Sequence, residues 1–233
     1  GSPSYALRHW REAPVGHALR DRIHSATGVT VLASAAAATI GCAAVPVYEV
    51  YKAGEAPHWL DGLDLLAGLG LRVAVIPHFD NTEGGSYDTR YCYLGEPRLL
   101  AMERALPAGV AVLGVDEHTA LLVDLHTARC DVVGRGTVTI RRGDAVSVLP
   151  AGTTVSLPDL RRLAADPGRY RNAGSPRRDN DDPRPATAAP TLRDAVAAAE
   201  ARFTAATGPT ERADAVLSLE ATIHDWATDT DED

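Results

Sequence analysis

One serine, one histidine and three carboxylates in this chain sit where hydrolytic chemistry would need them. Ser34 lies in "VLASAAAATIG", between a strand-like run and a helix-like run. That junction is the geometry of a nucleophile elbow, which holds a serine hydroxyl above a sheet beside backbone N–H donors. A helix-capping serine, with small residues allowing a helix close to a sheet, would read the same way. A serine hydroxyl is barely nucleophilic at neutral pH and needs a base, and the base needs an orienting group. His78 in "VAVIPHFD" is the candidate base, because it follows a buried strand, where open α/β sheets place their ligand-binding residues. The orienting candidates are Glu49 in "PVYEVYK" and the pair Asp116–Glu117 in "LGVDEHTALL", the latter again just beyond a strand.

Several elements must position these groups. "PVGHALRDRIHSA" carries Val15, Leu19 and Ile23 on one helical face after a proline start. "VTVLA", "LRVAVIP" and "GVAVLGV" read as short buried strands, with helices expected at "HWLDGLDLLAGL" and "GEPRLLAMERAL". Alternating strands and helices predict an α/β fold, a three-layer, flavodoxin-like and mostly parallel sheet. From Thr119 the pattern changes to "ALLVDL", "ARCDVVG", "TVTIRR" and "AVSVLP", an antiparallel meander at the sheet edge. Residues 158–190 are rich in Arg, Asp and Pro and read as a linker. Residues 191–233 read as a helical hairpin with an acidic tail. Its apolar stripes are Leu192, Val196, Ala199, Phe203 and then Val216, Leu219, Ile223, Trp226. The division is therefore 1–157, 158–190 and 191–233.

Composition narrows the function classes. The chain has 233 residues, 45% hydrophobic but 5% aromatic, and a formal charge of -8. An acidic surface argues against nucleic acid as a partner. Cys42, Cys92 and Cys130 are far apart, without a CxxC pair, which predicts neither a disulfide framework nor a zinc site and suits a reducing compartment, the cytoplasm. No apolar run approaches the roughly 18–20 residues of a membrane span. Neither a metal nor a cofactor is expected. In the loop "HFDNTEGGSYDTR" and just beyond it, Arg90 and Arg98 are candidates to grip a substrate carboxylate, and Asp80 and Asn81 to bind an amine or amide.

"SAAA", "GLDLLAGLGLRVAVIPHFD" and "VLGVDEHTALLV", in that order, resemble the aspartyl dipeptidase and cyanophycinase group of serine peptidases, which have a class I glutamine-amidotransferase-like fold. The segments "PVYEVYK" and "PHFDNTEGGSYDTRYCYLGEPRL" are similar to bacterial proteins described as type 1 glutamine amidotransferase-like. The resemblance covers about residues 1–149. It implies Ser34 as nucleophile, His78 as general base, Glu117 as the third member with Glu49 the alternative, and the Ala35 N–H as one oxyanion donor. The other donor would come from a glycine-rich loop near the chain start. The chain departs from the pattern at Leu32 and Ala36, which replace the two elbow glycines, and at Ile76 before the Pro–His pair.

The family's fold builds several strands before its elbow, whereas 33 residues precede Ser34 here. The resemblance therefore implies an N-terminally incomplete domain, with an unpaired sheet edge or face prone to association as a homodimer. Three functions follow as expectations: a serine hydrolase of a small amide or peptide, a non-catalytic binding or regulatory domain with a degenerate elbow, and an interaction module carried by the C-terminal hairpin.

Overall fold

A computed structural model describes residues 2–26 and 28–169, together with Ala198, Ala201, Arg202, Thr204, Ala205 and Gly208. Most of the hairpin expected over 191–233 and most of the expected linker lie outside the described residues. The chain divides into two compact units, one of Gly1–Ala26 with Thr30–Ser175 and the other of Thr27–Val29 with Pro176–Asp233. The first unit carries all the elements described below.

Three α-helices open the unit: α1 (Pro3–Trp10), α2 (Pro14–Ser25) and α3 (Ser34–Thr39). The first strand, β1 (Ala43–Ala44), is followed by a π-helical turn (Tyr48–Lys52), β2 (Leu60–Asp61), β3 (Val73–Ile76), α4 (Gly95–Arg104) and β4 (Ala111–Val115). Five more strands follow, β5 (Thr119–Asp124), β6 (Arg129–Gly134), β7 (Thr137–Arg142), β8 (Ala145–Pro150) and β9 (Thr154–Ser156), then α5 (Leu157–Ala165). The main sheet has the order β2-β1-β3-β4-β7-β8. Its centre, β1, β3 and β4, is parallel, while β2, β7 and β8 join antiparallel.

Alternation along β3 and β4 builds a core on each face of this sheet. Val73, Val75, Ala111 and Leu113 point to one side, where they meet Val138, Ile140 and Leu149 of the sheet and Leu157, Leu160 and Leu163 of α5. Ile76 and Val112 point to the other, against Leu99 and Met102 of α4, Val50 of the π-helical turn and Phe79. Burying each such aliphatic side chain contributes about 1.5–3 kcal/mol, which fixes the strand ends to the framework. Burial of β3 on both faces is what a strand at the parallel centre of a sheet requires. The fold is thus mixed α/β, with layers on both sides of the sheet.

Four local expectations are corrected. Residues 29–33, expected as a strand, form none, and Val31 is 78% exposed. The ladders of β1 are already taken by β2 and β3, so apolar β-branched residues alone did not secure a place in the sheet. The helix expected at "HWLDGLDLLAGL" is instead β2 and a short 3₁₀ turn (Ala67–Leu69). Tertiary pairing with β1 overrides the helical spacing there, and Asp64 enters the left-handed region at φ 51°. The linker expected from residue 158 begins as α5. Ser156 caps that helix by accepting from the Asp159 N–H, Pro158 sits in the first turn, and the helix buries Leu157, Leu160, Leu163 and Ala164. The meander also separates: β7 and β8 extend the main sheet, while β5 and β6 pair with β9 in a second, three-stranded sheet. Among the described residues no helix is long and apolar enough to cross a membrane.

Candidate active site

The parallel register sets Ile76 of β3 beside Gly114 of β4, so the chain leaves both strands at the same edge. His78 comes two residues after one strand and Glu117 two residues after the other. The Phe79 N–H donates to the Val115 carbonyl at 3.1 Å, extending the pairing past the strand ends and holding the two exits together. Gly114 is required by this arrangement, because a Cβ there would lie 2.4 Å from the Phe79 ring. Phe79 in turn meets Tyr91 edge-on, with ring centroids 4.6 Å apart.

On this frame, His78 Nε2 lies 3.0 Å from Ser34 Oγ and His78 Nδ1 lies 3.0 Å from Glu117 Oε1. Ser34 is the first residue of α3. The cap position belongs to Ala33, and no side chain caps the helix, so the serine oxygen is directed to His78 and not to its own helix. Ser34 holds φ at 49°, a left-handed conformation for a residue with a side chain, and His78 does the same at 51°. Such conformations cost of order 1–3 kcal/mol each and persist where surrounding structure over-determines them. No strand precedes Ser34, so the strand-to-helix elbow expected there is not formed as such; Ser34 is instead a left-handed residue opening α3, with Leu32 and Ala36 on either side. Its following residue, Ala35, is in the first turn of α3, where a backbone N–H has no acceptor inside the helix.

Glu117 is held from several directions. Its backbone N–H donates to Asp80 Oδ1 at 2.7 Å, and its Oε1 accepts from Asn81 Nδ2 at 3.0 Å. The bond from Asn81 is the largest influence keeping the Glu117 carboxyl below the ordinary carboxylate range; partial burial opposes it and the bond from His78 adds to it. The neighbouring Asp116 is turned away, accepting from the N–H and the hydroxyl of Thr137 through one oxygen. Glu49, the alternative third member, lies on the π-helical turn and makes no bond to His78; its Oε2 is enclosed without a hydrogen-bond partner.

The expected substrate contacts are placed differently. Asn81 is 1% exposed and committed to Glu117, and Asp80 is bonded to the Glu117 backbone. Arg90 is exposed but bound through two nitrogens to Asp88 at 2.9 Å, and it lies over the Tyr91 ring. Arg98 donates to the carbonyl of Leu94, the cap residue that precedes its helix. Nucleophilic sulfur is disfavoured here, because burial pushes the Cys92 thiol up to about 12 and Cys130 to about 11, and raises Cys42 as well.

Sequence reasoning did not find the loop's backbone. Tyr91, Cys92 and Tyr93 are consecutively left-handed, at φ 60°, 57° and 67°, an arrangement L-residues disfavour. The turn is fastened by the Tyr91 N–H to the Phe79 carbonyl at 2.9 Å and the Cys92 N–H to the His78 carbonyl at 3.0 Å. Asp88 accepts from the N–H groups of Arg90 and Glu96, one on each side of the turn. The Asp and Asn residues of "FDNTEGGSYD" were the available signal, since such side chains bond nearby backbone. Beside this loop a groove of about 220 Å³ is lined by Val47, Tyr48, Tyr51, Lys52 and Tyr93.

No family model matches the chain. No curated protein matches it either. Among solved structures, it is similar to a crystal structure of a peptidase from an acI-B1 Actinobacterium, at 25% sequence identity and a TM-score of 0.37. The match covers 53% of this chain, which spans 43% of the length of that one.

Proposed function

We propose that this protein is a serine-dependent hydrolase of the peptidase or amidase type, acting on a small amide or peptide. The observation that carries the reading is the unbroken chain Ser34 Oγ–His78–Glu117, with both links at 3.0 Å. In this reading His78 Nε2 takes the hydroxyl proton as Ser34 Oγ attacks the carbonyl carbon, and the Ala35 N–H faces the developing oxyanion. His78 then returns the proton to the departing amine, leaving an acyl-serine. Water, deprotonated by the same imidazole, releases the acid and restores the serine. Glu117 stabilises the imidazolium formed in each half-reaction without taking its proton. Within this proposal the domain division keeps residues 1–157 with α5 as the hydrolase unit.

A second reading is a non-catalytic binding or regulatory domain, favoured by Leu32 and Ala36 where the resemblance implies glycines. A fluorophosphonate probe separates the two. Labelling at Ser34, abolished by Ser34→Ala and by His78→Ala, is the expected result. Folded protein that stays unlabelled on long exposure would overturn the hydrolase reading in favour of the second.

A further inference from the structure

We propose that Asn81 is a positioning residue, whose side-chain amide fixes Glu117 and so determines which nitrogen of His78 carries the proton. The inference deepens the hydrolase reading and rests on it for its consequence in catalysis.

The orientation of the Asn81 amide follows from its partners. The Glu83 backbone N–H lies 3.2 Å from one end of the amide, and a backbone N–H can only donate. That end is therefore the oxygen, and the NH₂ end faces Glu117 Oε1 at 3.0 Å. The same carboxylate oxygen faces His78 Nδ1 at 3.0 Å. Glu117, held below the ordinary carboxylate range, is ionised at neutral pH and can only accept. Nδ1 must then carry hydrogen, which leaves the Nε2 lone pair toward the Ser34 hydroxyl, the tautomer that a general base needs.

Asn81 is fixed as firmly as it fixes. Its N–H donates to the His78 carbonyl at 3.3 Å, and its carbonyl accepts from Thr89 Oγ1 at 3.3 Å. Thr89 Oγ1 also accepts from the Gly84 N–H at 3.1 Å. The charged and titratable groups around Glu117 are His78, His118, Asp80 and Cys92, with Glu83 and the Tyr93 hydroxyl beside Asn81. Apart from the His78 ring itself, none of these hydrogen-bonds Glu117 Oε1 in place of Asn81.

Asn81→Asp isolates the effect, because it keeps an acceptor for the Glu83 N–H and replaces only the donor, with a negative charge. Two readouts apply: the rate of fluorophosphonate labelling of Ser34 across pH, and the ¹⁵N signals of the His78 ring. In the unmodified protein the ring should show hydrogen on Nδ1. In Asn81→Asp, labelling at neutral pH should fall about tenfold or more, the scale for outer partners of site groups. The acid limb should move to higher pH by about one unit, because an added carboxylate favours the imidazolium, and labelling should recover in alkali. Asn81→Ala should lower the rate and mix the two tautomers. A loss uniform across pH with the tautomer unchanged, or no change at all, would overturn the inference. An unlabelled parent protein whose His78 tautomer still depends on Asn81 would sink the hydrolase reading and leave the positioning role standing.

Discussion

The loop that carries the candidate site and the antiparallel half of the domain solve the same backbone problem differently. Around β6, β7 and β8 the positive φ values fall on Gly134, Gly143 and Gly152, with Ala128 the exception. Around the site they fall on Gly85 and Gly95 of the loop but mostly on residues with side chains, Ser34, His78, Tyr91, Cys92, Tyr93 and His118. Glycine enters the left-handed region without a Cβ penalty, so in the meander these turns cost little. At the site the chain bears the penalty repeatedly. Ser34 and His78 show why glycine would not serve: their side chains are the groups brought to 3.0 Å of one another. Tyr91 and Cys92 are different, because they contribute backbone donors to Phe79 and His78 and buried side chains to the core beneath. Strain is concentrated where side chains converge, and the surrounding hydrogen bonds hold it in place.

The largest change expected from this contrast is Gly134→Ala. A Cβ at Gly134 would lie 2.1 Å from the His118 carbonyl oxygen and 2.8 Å from Thr119 Cα, and φ there is 111°. Both contacts are backbone, so neither can swing aside. A loss of about 2–3 kcal/mol of unfolding free energy is expected, readable as a lower midpoint in urea. An unchanged midpoint would mean that the β5–β6 pairing gives way easily and that the glycines of the meander are incidental.

The opposite change at the site should have the opposite sign. Ser34→Gly removes a left-handed residue with a side chain from an exposed position, and relief of about 1 kcal/mol is expected. Thermal melting should therefore rise by a few degrees while probe labelling vanishes. If Ser34→Gly instead destabilises the protein, the hydroxyl's bond to His78 outweighs the strain, and the contrast between the two regions is weaker than the dihedral angles suggest.

Legibility in the sequence followed the same divide. Strands β3 and β4 were readable because an apolar run bounded by Gly70 and Pro77, or by Gly109 and Asp116, has few other interpretations. The spacing of His78 and Glu117 after those strands was likewise visible, since chain direction fixes which end of a strand comes next. Residues 29–33 and "HWLDGLDLLAGL" misled because their local patterns were overridden by which ladders β1 had open. Helix α5 was hidden by Arg161, Arg162 and Asp166, although its stripe of Leu157, Leu160 and Leu163 was there to be read. Asn81 was read as a residue that binds a substrate amine or amide, whereas in the structure its side chain bonds Glu117. Nothing in a linear pattern tells whether an amide in a loop turns outward to a ligand or inward to a carboxylate. That depends on the left-handed turn at Tyr91–Tyr93, which no local preference of those residues announces.

The smallest expected effect probes what holds that turn. Asp88 bridges it, accepting from the Arg90 N–H at 3.2 Å and the Glu96 N–H at 2.9 Å while pairing with the Arg90 guanidinium. The Arg90 guanidinium first, and the Glu96 N–H next, hold the Asp88 carboxyl well below the usual carboxylate range. A carboxyl depressed in the folded state contributes stability that is fully present above its unfolded value and is lost as pH falls through the folded one. Asp88→Asn should therefore be less stable than the parent at neutral pH, by about 0.5 kcal/mol once solvent screening of an exposed pair is allowed for. The gap should hold down to about pH 4, the ordinary value for Asp, and narrow progressively in stronger acid. Urea titrations of both proteins at a series of pH values would measure it. A gap that is constant down to the most acidic condition would mean that the Asp88 charge is not what fastens the turn, and that the backbone bonds to Phe79 and His78 hold the left-handed residues unaided.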